Sequence, residues 1–350
     1  MFVKVPCWEN LETNVMKEKS KPLGIALVGC GRVSDAHLEA ICRQPGVGSL
    51  EAVIDTDLGR AEASANRYGA PRVFKTLEQA LALDVIEAVD VCLPNHLHAD
   101  AAVASLAAGR HVLVEKPMAD NAAEAERMAA AAETNARVMV IGQSRRHTKA
   151  VRYVHDNLEN FGYLRSVHDS YCIRWDGPQT PWWSHRSREA GLVLSLIATH
   201  SMDFVQLVMG EDDPLRVHCE AVRHQSDWKG DDEAMIVLTY PQNRLVFVHL
   251  SYNQKPYLDR KTLLFDGCVV QVDDNLTVTV NGELVIEPDP GEVGEMARPA
   301  LQFDWQFAEF VKAVRGLPNR SVRAMEGVRL MRVLDAIRQA AISGAAVDMT

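Results

Sequence analysis

Lys116, in the run Glu115-Lys116-Pro117, stands at the end of the apolar stretch His111–Lys116. A lysine at a buried strand end can lower the pKa of a substrate hydroxyl and stabilise a developing negative oxygen. The same place equally suits a lysine that snorkels to the surface. A second apolar stretch ends in Leu93-Pro94-Asn95-His96-Leu97-His98. Its two histidines sit on an irregular loop with no third ligand, so a helix cap or a contact with cofactor or substrate is expected there and no metal site.

A third stretch ends in Gly29-Cys30-Gly31-Arg32-Val33-Ser34. Glycines between a strand and a helix allow a tight turn and the close approach of a pyrophosphate to the helix N-terminus, where free N–H groups and the dipole favour anions. Ser34 replaces the usual third glycine and is small enough to keep helix and strand close. Asp55 ends the next apolar run, 21 residues after Ser34. An acid there accepts hydrogen bonds from the adenosine ribose diol and repels a 2′-phosphate, so NAD is expected in preference to NADP. Neither Thr56 nor Asp57 supplies a basic replacement, and Arg60 is expected to cover the adenine or face solvent.

These residues need a frame. The runs Leu23–Gly29, Leu50–Asp55, Ala88–Leu93, His111–Lys116 and Arg137–Gly142 are strand-length and almost unbroken in apolar character, as parallel strands covered on both faces are. Between them lie Ala-rich stretches of helical period: Ser34–Gln44, Leu58–Tyr68, Leu77–Leu83, Asp100–Ala108 and Ala122–Thr134. The last follows Asn121, with Glu124 three residues on, a relative of the capping box. Strand and helix in repeated alternation predict an α/β fold with a doubly wound parallel sheet. After about residue 143 the pattern turns to alternation, with Val167, Tyr171, Ile173 and Trp175 on one face of Leu164–Trp175. Further strands are predicted at Leu215–His224, Glu233–Tyr240, Arg244–Tyr252, Arg260–Phe265, Val269–Asp273 and Leu276–Val280, with helices near 144–160, 192–209, 301–316 and 323–343. The expected organisation is an extension over 1–21, a dinucleotide-binding domain over 22–143, and an α+β domain with a large, mostly antiparallel sheet over 144–350.

The 350 residues carry 37 Lys and Arg against 47 Asp and Glu, a net charge of −10 that disfavours a nucleic-acid partner. No apolar window is long enough for a transmembrane helix, and the first twenty residues lack the apolar core of a secretory signal. The 7 cysteines are scattered and never in C-x-x-C spacing, which predicts reduced thiols in a cytoplasmic protein.

Taken in order, G-C-G-R-V-S, V-I-D-T-D-L-G-R-A, P-N-H-L-H, E-K-P and G-L-V-L-S-L-I-A-T-H-S-M-D resemble the Gfo/Idh/MocA oxidoreductases, the family of glucose–fructose oxidoreductase and inositol dehydrogenase. The resemblance runs from about Leu23 to the C-terminus. It implies an N-terminal Rossmann domain, a C-terminal domain whose open sheet commonly forms homodimers or homotetramers, and hydride transfer between NAD(P) and a sugar, polyol or related carbonyl. Carried over, Lys116 matches the catalytic lysine and His200 the histidine that exchanges the hydroxyl proton. Gly29, Cys30, Gly31, Arg32, Val33, Ser34, Asp55, Arg60, Pro94, Asn95, His98, Glu115 and Lys116 are the expected cofactor contacts. Arg145, Trp182, Trp183 and His185, with Lys116 and His200, are the expected substrate contacts, suited to sugar faces and anionic groups.

One departure matters. The family's D-x-G-x-H places a carboxylate one turn before the histidine, where this chain has Leu196 and Ala198. Leucine can neither accept a hydrogen bond nor exchange a proton. Asp203 follows His200 by three residues and serves either the imidazole or the helix packing. The departure leaves two further readings open: an NAD-dependent glycosidase, and a regulatory protein that keeps the fold and binds NAD or sugar without turnover. Lys116 and His200 together argue for the dehydrogenase.

Overall fold

The structure, a computed structural model, describes residues 21–177, 192–288 and 301–349. The apolar runs form strands β1 (Leu23–Val28), β2 (Gly48–Ile54), β3 (Val73–Phe74), β4 (Ala88–Val91), β5 (His111–Glu115) and β6 (Met139–Gly142). They stand in the order β3-β2-β1-β4-β5-β6, all parallel, with Val322–Arg323 adding an antiparallel edge beyond β6. Helices α1 (Ser34–Cys42), α2 (Leu58–Tyr68), α3 (Leu77–Leu81), α4 (His98–Ala107) and α5 (Ala122–Thr134) make the crossovers. β3 has too few residues for any periodicity to show, which is why the sequence reading lacks it. Asn121 caps α5 by accepting from the Glu124 N–H at 3.0 Å, while Glu124 reaches back to the N–H of Asp120 at 3.2 Å, one residue beyond a standard capping box.

Because the order reverses between β1 and β4, their carboxyl ends part there and leave a crevice, the ligand site of open α/β sheets. Gly29 turns the chain out of β1 with φ +95°, and a Cβ on it would meet the Cys92 carbonyl oxygen at 2.6 Å. The two strand ends therefore approach as closely as they do only with glycine at this position.

Beyond β6, α6 (Lys149–Asp156) leads into a second sheet of β7 (Leu164–Arg174), β8 (Arg216–Val222), β9 (Glu233–Tyr240), β10 (Arg244–Ser251), β11 (Asn253–Phe265), β12 (Val269–Asp273), β13 (Thr277–Val280) and β14 (Glu283–Ile286). Its order is β14-β13-β12-β11-β7-β10-β9-β8, with Val347–Asp348 at the β8 edge, and only β7 with β10 runs parallel. Helix α7 (Ala198–Met209) packs on the inner face. The chain then returns to the first sheet. Phe307, Phe310 and Val311 of α8 (Gln302–Val314) pack with Leu38 and Ile41 of α1, and Arg43 grips Asp304 through two nitrogens. Helix α9 (Ala324–Ser343) lies against both sheets, close enough that a Cβ on Gly327 would meet Met118 Sδ at 2.6 Å. Cysteines 30, 42, 92, 172, 219 and 268 are free thiols, and no helix among the described residues is long and apolar enough to cross a membrane.

Candidate active site

The turn after β1 is held from inside. Gly29 N–H donates to the Ile54 carbonyl at 2.8 Å, and Ser34 Oγ donates to the Gly31 carbonyl at 2.5 Å. Asp55, buried at the end of β2, accepts from the Cys30 N–H at 2.9 Å and from the Asp57 N–H at 2.8 Å. One carboxylate thus fixes the turn to the neighbouring strand end. The first turn of α1 has no side-chain cap, and a Cβ on Gly31 would point into open space. Arg32 and Val33 are exposed at the rim. Arg60 is exposed and pairs with Asp57 at 3.1 Å, with Asp55 Oδ1 at 3.9 Å.

Across the crevice, His98 joins two strand ends: its ring nitrogens lie 2.7 Å from the Leu93 carbonyl and 2.9 Å from the Pro117 carbonyl. Pro94 leads into a 3₁₀ turn whose Asn95 donates to Asp120 at 2.6 Å. His98 is therefore buried between backbone carbonyls, and neither it nor His96 belongs to a metal-ligand cluster among the described residues.

Glu115 ends β5 with its carboxylate turned inward. Oε2 accepts from the Lys116 N–H at 3.1 Å, and Oε1 lies 3.0 Å from His37 Nε2. The other His37 nitrogen is 2.9 Å from Asp90 Oδ2. His37, Asp90 and Cys92 come within the spacing of a small metal site. Both ring nitrogens already face carboxylates, however, and burial pushes the Cys92 thiol up to about 12, so it is a protonated thiol there. The sequence reading missed His37. Its signal was a histidine one turn into an otherwise apolar helix face.

Lys116 Nζ reaches across to the second domain and donates to the Leu196 carbonyl at 3.4 Å. That carbonyl lies one turn before His200, so Lys116 is drawn up to the start of the His200 helix. The Tyr171 ring stands edge-on to the His200 ring at 6.4 Å, and the Arg145 guanidinium lies over the tyrosine ring at 4.4 Å. Arg145 in turn donates to Asp259 at 2.8 Å. Asp259 also takes the ammonium of Lys261, Asn275 Nδ2 at 3.0 Å and the Tyr257 hydroxyl at 3.4 Å. Burial pushes its carboxyl up, but Lys261 and Arg145 outweigh burial and hold it below the usual range. Tyr257, Asp259, Lys261 and Asn275 were not foreseen. Asp203 does not serve the imidazole: both its oxygens face Arg146 Nε at 2.9 Å, and Arg146 continues to Glu326 on α9 at 3.2 Å. Trp182, Trp183 and His185 lie outside the described residues. Trp175 packs into an aromatic cluster with Tyr252 and Trp228, at 4.7 and 5.6 Å.

The fold and crevice define a two-domain protein with a dinucleotide-type turn facing a lysine and a histidine from separate domains. Residues 23–143 match the family described as "Oxidoreductase family, NAD-binding Rossmann fold", and residues 157–281 match the GFO/IDH/MocA C-terminal domain. Together the two matches span more than half of the chain, and the protein belongs to the GFO/IDH/MocA oxidoreductase family. It is 34% identical over 134 residues to a 4-carboxy-2-hydroxymuconate-6-semialdehyde dehydrogenase of Sphingobium, covering 38% of this chain and 42% of that protein. It is 27% identical over 201 residues to the levoglucosan dehydrogenase of Pseudarthrobacter phenanthrenivorans, covering 54% and 52%. The chain thus spans about half the length of these curated relatives. A solved levoglucosan dehydrogenase complex with NADH and L-sorbose shares the fold, with TM-score 0.85, 20% identity, and coverage of 95% of this chain and 100% of that one.

Proposed function

We propose that the protein is an NAD-dependent dehydrogenase acting on a CH–OH group of a sugar, polyol or related derivative. The observation that carries this reading is the reach of Lys116 Nζ to the Leu196 carbonyl, one turn before His200 and across from the Gly29–Ser34 turn. The names of the relatives, levoglucosan dehydrogenase among them, support the substrate class.

The residues present fit the dinucleotide. The uncapped first turn of α1 offers backbone N–H groups, and the open space above Gly31 admits a pyrophosphate. Asp55 still has acceptor capacity for a ribose diol beyond its two backbone bonds. Arg60 is engaged by Asp57, so a 2′-phosphate would meet two carboxylates; this supports NAD over NADP. Bound NAD+ supplies the hydride acceptor. His200 takes the substrate hydroxyl proton at an imidazole nitrogen, and the Lys116 ammonium stabilises the oxygen as it becomes a carbonyl. With leucine at 196, a backbone carbonyl takes the contact with Lys116, so the lysine keeps an acceptor although the family's carboxylate is gone. Arg145 and Tyr171 form the wall behind His200, and Trp182, Trp183 and His185 remain candidates for the sugar face.

Single-turnover absorbance at the nicotinamide band, with NAD+ and NADP+ in parallel and a panel of sugars, inositols and sugar acids, tests this. The expected result is reduction of NAD+ by at least one member, reduced about 100-fold or more in each of Lys116→Ala and His200→Ala. Full activity in both variants would sink the role assignment. Tight NAD binding with no hydride transfer to any member would sink the dehydrogenase reading.

The second sheet also supports self-association. Val222, Met235, Val237, Leu245 and Phe247 are exposed on one face of β8, β9 and β10, a contiguous apolar surface. A second copy covering that face makes the protein a homodimer or homotetramer. Light scattering should give a multiple of the chain mass that falls in Phe247→Glu; a monomeric wild type would refute it.

A further inference from the structure

The proposed chemistry uses Lys116, yet the structure surrounds the backbone of that residue with a buried chain of charged groups that no step above employs. His37 is 2% exposed and sits on α1, the helix that begins at the Gly29–Ser34 turn. Its Nδ1 meets Asp90 of β4 at 2.9 Å, and its Nε2 meets Glu115 of β5 at 3.0 Å. Glu115 then accepts the backbone N–H of Lys116 at 3.1 Å. One imidazole therefore spans the three elements that build the site: the helix under the cofactor turn and the two strands whose ends line the crevice.

We propose that His37 is a positioning residue for Lys116, acting through Glu115, and that it links the placement of the lysine to the placement of the dinucleotide turn. This rests on the assignment of Lys116 to the reacting oxygen. Three observations argue for it over a merely satisfied buried histidine. First, a nitrogen 3 Å from a carboxylate must donate, so the ring carries both protons and is fixed in orientation at both ends. Second, Glu115 uses one oxygen for the imidazole and the other for the Lys116 N–H, so its position is not adjustable independently of either. A Cβ on Gly142 of β6 would meet Glu115 Oε1 at 3.0 Å, which closes the remaining side. Third, the charges do not cancel: two carboxylates flank one imidazolium. Lys116 lowers the Glu115 carboxyl, so the two groups attract one another electrostatically.

The groups facing His37 are Asp90 and Cys92 from the β4 end, Glu115 from the β5 end, and the Phe303 ring of α8 at 5.2 Å. Burial alone would lower the His37 imidazole, but Asp90 outweighs it and holds the ring well above its ordinary value. Burial likewise pushes the Glu115 carboxyl up, and the His37 hydrogen bond and charge outweigh it and hold it ionised.

The test compares wild type with Glu115→Gln, His37→Gln and the double variant. NADH binding is followed by fluorescence and hydride transfer by single turnover. The titration of Lys116 is followed by NMR of 13C-dimethylated lysines, with its signal assigned by its loss in Lys116→Arg. Positioning predicts that kcat falls about tenfold or more in each single variant, and by a larger factor than NADH affinity does, since small displacements of a reacting group cost that much. The double variant should lose no more than the worse single one, because both act through one chain. The Lys116 titration midpoint should fall in Glu115→Gln, where the negative charge is removed. An unchanged midpoint in that variant, or kcat losses that multiply in the double variant, would overturn the proposal. Should His37→Gln fail to fold, the near-isosteric Glu115→Gln still decides it. Should wild type reduce no NAD+ with any substrate, the dehydrogenase reading fails while the Lys116 titration continues to judge this one.

Discussion

The molecule buries charge in two places, one on each side of the crevice, and handles it differently. Under the first sheet, His37 joins Asp90 and Glu115 end to end at 2.9 and 3.0 Å, and the remaining Glu115 oxygen takes a backbone N–H. Under the second sheet, Asp259 gathers Arg145, Lys261, Asn275 and Tyr257 around one carboxylate. Its neighbour Asp169 is fully buried, with Lys261 Nζ 3.9 Å away and the Ser201 hydroxyl beside it. The first arrangement is a chain in which the imidazole answers both acids. The second is a hub with one saturated acid and one underserved acid. A chain transmits position along its length, which suits the role proposed for Lys116. A hub fixes a wall, here the Arg145–Tyr171 pair behind His200, and its stability depends on one residue.

That contrast is broken most sharply at the hub. Asp259→Asn leaves Arg145 and Lys261 buried without their shared counter-charge, and breaking a buried pair from one side costs about 3 to 5 kcal/mol. Urea unfolding of the variant should show a loss of this size, or no folded protein at all. A loss under about 1 kcal/mol, typical of an exposed pair, would mean that the hub is solvated and the comparison is wrong.

How far these sites could be read from sequence differs between the two regions for the same reason. The strand ends on the cofactor side were legible because each candidate residue ends an apolar run: Gly29, Asp55, Lys116 and the Pro94–His98 loop sit where periodicity stops, and the doubly wound order then brings those ends together. The inner face of the second sheet was not. Asp169 lies on the same alternation as Val167 and Tyr171, and Asp259 and Lys261 share the inward face of β11 with Tyr257. A charged residue at an inward position of a strand was the available signal, but its partner sits on a strand many residues away, and only the β7–β11 register brings Asp169 beside Lys261. His37 escaped for a related reason, since its acids come from β4 and β5. Leu196 was read as a lost carboxylate from its side chain. The structure adds the carbonyl of the same residue, a contact that no side-chain reading supplies.

The smallest effect sharpens the comparison from the underserved side. Burial pushes the Asp169 carboxyl up and Asp259 adds to this, with Lys261, Ser201 and Arg145 offsetting it only in part. A carboxyl that is raised in the folded state binds its proton more tightly there than in the unfolded chain. The native state then holds more protons through that window, and stability falls as pH rises from the unfolded carboxylate value toward the folded one. Asp169→Asn is nearly isosteric and removes the ionisation while leaving the nearby positive charges of Lys261 and Arg145 in place. Its stability at neutral pH should therefore lie within about 1 kcal/mol of wild type, on the more stable side, because Lys261 and Arg145 keep Asp259 as counter-charge while the desolvation cost of a second buried carboxylate is removed. Thermal unfolding followed from pH 4 to pH 8 should show the variant gaining on wild type as pH rises. A variant that instead loses several kcal/mol at neutral pH would show that Asp169 is a full member of the hub, and the distinction between a saturated and an underserved acid would collapse.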